Sequence, residues 1–177
     1  MDRQKKFLMG VLTCETEIIA VDDLKLSMFS GNTSYIWVIH ANKIPPHIGV
    51  SSGQGYYSLK SNGKDNDLAI SGLISVLKKK NIAVLLYELT QGVENYTIRN
   101  AYNNYRITIP GQVTCLQPLK DVFNDTSAMK VQELLDNLEI RGMISKCYGW
   151  QLPEEFTGIP DYEVDKIHDR LKLLSND

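Results

Sequence analysis

Residues 45–65 are PPHIGVSSGQGYYSLKSNGKD, and this stretch decides the expected fold. Two short β-like runs, IGVS and YYSLK, flank the glycines Gly53 and Gly55. Glycine readily adopts the positive φ angles that a tight hairpin turn requires. The stretch therefore predicts a β-hairpin. Its first strand begins beside His47, an ionisable ring at a position where Val, Ile or Tyr would pack at lower cost.

Strand signals continue on both sides of this hairpin. Segments 7–20 and 35–40 are rich in Val, Ile and aromatic residues, as strands are. Segment 81–89, NIAVLLYEL, is a continuous apolar run of strand length, so we expect a central strand that is buried on both faces. The segments TIRNAY and NNYRITIP follow it as further strand candidates before Pro110 and Gly111.

Helix signals dominate the second half of the chain. The expected helices are 67–80, with Asp67 as N-cap, followed by 114–123, 127–140 and 162–174. Strands followed by helices indicate the α+β class. We expect one domain over residues 1–177, with an antiparallel sheet, helices packed on or beside it, and a mainly helical part over 127–177.

Composition excludes several classes of function. The 177 residues contain 19 Lys and Arg against 21 Asp and Glu, so no strong field favours nucleic acid or an anionic membrane as a partner. No run of about 18 apolar residues predicts a membrane span. No nucleotide-binding or metalloprotease motif is present, and we expect no cofactor and no metal.

The cysteines indicate a reducing compartment. Cys14, Cys115 and Cys147 are odd in number and lack CxxC spacing, so we expect free thiols and a cytoplasmic protein. The N-terminal segment through Cys14 has an apolar core that is short for an export signal, and we interpret it as part of a strand. The oligomeric state is left open.

One cysteine is a candidate nucleophile. Cys115 lies in GQVTCLQPLKDVF, after a predicted strand end and a Pro-Gly turn and at the start of an apolar helical face. Unpaired N–H groups in the first turn of a helix favour a thiolate, so we expect a lowered pKa for this thiol. Pro118 supports the placement, because proline is tolerated in a first turn. The alternative role of a free cysteine is that of a small buried hydrophobic residue.

A reactive thiol needs an imidazole held on a rigid element. His47, at the mouth of the hairpin, is the preferred candidate, because Gly49 leaves one strand face without a side chain and gives a substrate backbone room. His40 remains the second candidate, since it ends the strand YIWVIH near a turn. His168 lies among charges in the C-terminal helix, where a solvated role is expected.

The order HIGV, glycine turn, second strand and a later helix starting TCLQPLKDVF resembles the circularly permuted branch of the papain-like superfamily. That branch includes NlpC-type cell-wall amidases and lecithin retinol acyltransferase-like proteins. The resemblance covers roughly residues 45–125. It implies a cysteine-dependent hydrolase or acyltransferase, such as a cysteine peptidase or amidase, with Cys115 as nucleophile and His47 as general base. The substrate would be a peptide, a glycopeptide or an acyl compound.

The resemblance also implies a third polar group that orients the imidazole. Ser58 is the residue we assign to it, with Lys60 or a backbone carbonyl as alternatives. Tyr56, Tyr57 and Gln112 are the expected substrate-binding residues, although each also suits an ordinary sheet or turn position.

Two other classes of function remain open. The aromatic hairpin and the segment ENYTIRNAYNNYRI suit a non-catalytic module that recognises a peptide or glycan. Alternatively, the C-terminal third, from Ser127 onward, suits an assembly role in which it docks a partner, although its alternating charges are typical of a solvated helix face.

Overall fold

Seven strands form one mixed sheet in the computed structural model, which describes residues 16–175. The strands are β1 Ile18–Val21, β2 Ser34–Ile39, β3 His47–Ser52, β4 Gly55–Lys60, β5 Gly63–Ala69, β6 Val84–Leu89 and β7 Ile144–Trp150. Their order across the sheet is β1-β7-β6-β2-β3-β4-β5. All neighbouring pairs are antiparallel except β1 with β7, which run parallel. The α+β class is therefore confirmed, and the expectation of a purely antiparallel sheet is wrong.

The helices cover both faces of this sheet. They are α1 Ile70–Lys79, α2 Asn95–Asn103, α3 Gln117–Phe123, α4 Val131–Ile140 and α5 Val164–Leu174, and a 3-10 helix spans Leu26–Phe29. Apolar residues of α1 and the 3-10 helix pack on one face, with Trp37 and Trp150. Residues of α2, α3 and α4 pack on the other face, with Ile48 and Leu85. The apolar residues of α5 form a small cluster of their own with Tyr162.

The predicted hairpin and the predicted central strand are both confirmed. Gly53 has a φ of +54° in the turn between β3 and β4, a conformation that glycine adopts without the strain of a β-carbon. β6 lies between β7 and β2, and all of its residues except Glu88 are buried. Its continuous apolar run follows from burial on both faces.

Several sequence-based boundaries are wrong. Asp67 does not cap a helix, because it belongs to β5 and α1 begins at Ile70. TIRNAY lies in α2 and NNYRITIP forms the end of that helix and the loop after it, so neither is a strand. β7 lies within 127–177, a part that was expected to be mainly helical and for which no strand was predicted.

The N-terminal strand prediction can be compared with the structure only in part. β1 begins at Ile18, and residues 1–15, including Cys14, lie outside the described residues. Within residues 16–175, no helix has both the length and the apolar character needed to cross a bilayer.

Candidate functional site

A cavity of about 560 Å³ opens at the end of the sheet where β2 connects to β3. Its walls come from that connection, the start of β3, the end of β4, the segment before α3, the start of α4, and α5. A volume of this size is typical of small-molecule sites, which measure about 300–1,000 Å³. Both His47 and Cys115 line this cavity, although 68 residues separate them in the chain.

Strand separation creates the room at this end. β3 begins at His47 and β4 ends at Lys60, but pairing between the two strands extends only as far as Gly49 with Ser58. The first residues of β3 therefore lie apart from the last residues of β4. His47 lies in this separated part, where β3 pairs only with β2, opposite Ile39.

Cys115 lies just before α3, since Leu116 is the N-cap and Pro118 occupies the first turn. The cysteine is partly buried and packs against the apolar cluster that contains Ile48. Burial raises the pKa of its thiol, whereas the N–H groups of Ile48 and of Cys115 itself favour the thiolate and oppose that rise. The expected lowering of the pKa is therefore wrong, because burial outweighs the nearby N–H groups.

The imidazole of His47 is also held neutral. Burial lowers its pKa from the ordinary value of 6.5 to about 4, and the positive charges of Lys60 and His40 act in the same direction. The carboxylate of Asp65 opposes this effect by favouring the imidazolium. At neutral pH the cavity therefore contains an un-ionised thiol and an un-ionised imidazole, rather than an ion pair. No hydrogen bond joins the two side chains among the contacts of residues 16–175.

Ser58, the predicted orienting residue, is fully buried and bonds elsewhere. Its hydroxyl donates to Asp65 Oδ2 over 2.7 Å, and Lys60 Nζ donates to Asp65 Oδ1 over 2.6 Å. Asp65 is the carboxylate whose charge acts most strongly on His47. Sequence reasoning missed it, although the Asn62–Gly63 dipeptide is a hairpin signal and so predicts a further strand that would carry Asp65.

The three predicted substrate-binding residues do not line this cavity. Tyr56 and Tyr57 are at most 1% exposed and pack on opposite faces of the sheet. Gln112 is exposed in the turn between Ile109 and Val113, outside the cavity lining. Their role in substrate binding stays a prediction that the cavity does not support.

The space next to Gly49 is filled as well. A β-carbon at this position would approach the Tyr56 hydroxyl and lie 2.6 Å from the Tyr57 carbonyl oxygen. The expectation that Gly49 gives a substrate backbone room is therefore wrong, since a neighbouring tyrosine occupies that side of the strand.

Helix α5 was not expected to take part in the site, but it forms one wall. Its residues Ile167, Leu171 and Leu174 line the cavity, and Arg170 lies beside them. The helix is held in place by the N–H of Gly111, which donates to His168 Nδ1 over 2.8 Å. Apolar residues at helical spacing were the available sequence signal, although spacing alone does not show which part of the protein a helix covers.

Comparison with known proteins gave no match for this chain, whether with family models, curated proteins or solved structures.

Proposed function

We propose that the protein is a cysteine-dependent hydrolase or acyltransferase that acts on an amide or ester bond in this cavity. The observation that carries the proposal is the convergence of Cys115 and His47 on one cavity, with the sulfur close to the N–H of Ile48, the residue after His47. Nucleophile and base must share one substrate-accessible space for this chemistry.

Because the Cys115 thiol and the His47 imidazole are both un-ionised at rest, attack on the substrate carbonyl requires a proton transfer from the thiol to the imidazole. As the Cys115 sulfur attacks the carbonyl carbon, the neutral His47 imidazole accepts the thiol proton and the carbonyl oxygen becomes an oxyanion. Collapse of this intermediate breaks the bond to the leaving amine or alcohol, which takes the proton from the imidazolium. The resulting thioester is then attacked by water, or by an acceptor alcohol or amine, whose proton His47 accepts. The C–S bond breaks, and the departing Cys115 sulfur takes the proton from the imidazolium, which restores the un-ionised pair.

Asp65 is suited to support this cycle from a distance. Its carboxylate favours the imidazolium form of His47, and this form exists only after the thiol proton has been transferred. Ser58 and Lys60 hold both carboxylate oxygens in place. Asp65 is therefore a positioning and electrostatic residue in the proposal, and Ser58 acts through it.

A second candidate function is non-catalytic ligand binding in the same cavity. The observation that favours it is that burial raises the pKa of the Cys115 thiol and lowers the pKa of the His47 imidazole, so it opposes ionisation of both groups. A binding module needs the cavity but no reactive thiol.

Acylation by 4-nitrophenyl butyrate separates these two functions. We expect an acyl adduct on Cys115, located by peptide mass spectrometry, with no adduct on buried Cys147 of the same molecule as the internal reference. His47→Ala should slow acylation by about 10²-fold or more, which is the range for loss of a general base. Asp65→Asn should slow it less.

The catalytic proposal fails if wild-type Cys115 is acylated no faster than free cysteine at the same pH and His47→Ala has the same rate. That result, together with saturable ligand binding in the cavity, would establish the binding module instead.

A further inference from the structure

The charged residues that line the cavity are all of one sign. Lys43, Lys60 and Arg170 contribute to its walls with two histidines, and no Asp or Glu does so among residues 16–175. The whole chain has 21 acidic against 19 basic residues, so this bias is local. Lys60 is neutralised by Asp65, whereas Lys43 and Arg170 form no ion pair within the described part of the chain.

Lys43, in the connection between β2 and β3, and Arg170, in α5, both line this cavity. Lys43 and Arg170 are both close enough to His40 for their charges to lower its pKa, after the larger effect of burial. Lys80, at the C-terminal end of α1, acts on His40 in the same way. Positive charges from three parts of the chain therefore act on one partly buried ring, and two of them, Lys43 and Arg170, line the cavity.

The turn that carries Lys43 is fixed by the backbone. His40 has a φ of +58°, the Lys43 N–H donates to the His40 carbonyl over 2.8 Å, and the Ala41 N–H donates to the Ala83 carbonyl over 3.1 Å. A left-handed conformation at a residue other than glycine costs free energy, and such residues are concentrated at functional sites.

The rest of the lining is mainly apolar. Its aliphatic and thioether side chains include residues of β4, of the segments around the starts of α3 and α4, and of α5: Leu59, Leu116, Met129, Val131, Leu171 and Leu174. Burial of an apolar ligand surface against such a wall is favourable. Charge-assisted hydrogen bonds between the two cations and an anionic group are favourable as well.

We propose that the cavity binds an amphiphilic anion, whose apolar body lies against the α4 and α5 wall and whose negative group lies between Lys43 and Arg170. An acyl chain that ends in a carboxylate is the simplest member of this class. The inference shares with the proposed function only the assumption that this cavity is the ligand site. It names the ligand class for either the catalytic or the binding function.

Decanoate binding to the Cys115→Ser protein, followed by isothermal titration calorimetry, tests this inference without any acyl transfer. We expect one decanoate per chain, bound more tightly than uncharged decanol, with affinity that falls as salt increases. Lys43→Ala and Arg170→Ala should each weaken decanoate binding about three- to five-fold, the effect of a partly exposed ion pair. Neither variant should weaken decanol binding.

The matched control is Lys166→Ala. Lys166 is an exposed cation one turn away from Arg170 on α5 and lies outside the cavity lining, so this variant should bind decanoate as the parent does.

Equal affinities for decanoate and decanol, or no binding of either, would overturn the inference. The inference would also be overturned if Lys166→Ala lost as much affinity for decanoate as Arg170→Ala does. The two proposals fail separately: decanoate binding without acylation of Cys115 removes only the catalytic proposal, and acylation without preference for the anion removes only this inference.

Discussion

Replacing His47 by glutamine tests the electrostatics of the site through protein stability. The folded protein holds His47 with a pKa of about 4, against 6.5 for an exposed histidine. When the pH lies between these two pKa values, the unfolded chain binds a proton that the folded protein does not bind. The free energy of unfolding therefore decreases as the pH falls. The contribution of His47 is fully present above pH 6.5 and is lost progressively toward pH 4.

The size of the effect follows from the two pKa values. A shift of this size makes the unfolding free energy fall by about 2 kcal/mol from about pH 7 to about pH 5, through His47 alone. His40, whose pKa is also lowered, contributes in the same direction in both the wild type and the variant. The difference between the two proteins therefore isolates His47.

Urea unfolding at these two pH values, followed by tryptophan fluorescence, measures the difference. We expect wild-type protein to lose about 2 kcal/mol more than His47→Gln does between about pH 7 and about pH 5. Ser61→Ala changes the same cavity without removing an ionisable group and should retain the wild-type dependence. Equal losses in wild type and His47→Gln would refute a partly buried imidazole that stays neutral near pH 5.

Two glycines provide further predictions on stability. Gly49→Ala should lower the free energy of unfolding by about 3 kcal/mol, because the added β-carbon meets the Tyr57 carbonyl, which belongs to a paired strand and cannot rotate away. Gly72→Ala should raise it by about 0.5–1 kcal/mol, since this position in α1 is open and alanine favours helix. Urea unfolding checks both variants, and an equally stable Gly49→Ala would contradict the packing described at β3.

The parts of the fold that were predictable are those in which local sequence and burial agree. The β6 run NIAVLLYEL is apolar throughout because both faces are covered, and the hairpin follows from the glycine of its turn. β5 was missed because GKDNDLA is polar, as suits a strand at the sheet edge. α2 was missed because its tyrosines and asparagines favour other structures, although Ile98, Ala101 and Tyr102 have helical spacing.

The candidate site was predictable only in part, for a physical reason. A cysteine before a helix and a histidine that opens a strand are local patterns, and both residues line one cavity. The direction of the Cys115 pKa shift depends on burial by distant segments, and local sequence does not report it. Lys43 and Arg170 line one cavity only because α5 returns to the β2–β3 connection, and no spacing in the sequence indicates this.

The pH dependence of Cys115 alkylation by iodoacetamide tests the pairing of Cys115 with His47 most directly. It is compared between wild-type protein and His47→Gln, with Cys147 as internal reference. We predict an apparent pKa for Cys115 above the value of about 8.5 for a free thiol. In wild type, alkylation of Cys115 near neutral pH should exceed that in His47→Gln, because the neutral imidazole can accept the thiol proton, while Cys147 reacts slowly in both. Identical profiles for Cys115 in the two proteins would contradict a functional pairing of the thiol and the imidazole in this cavity.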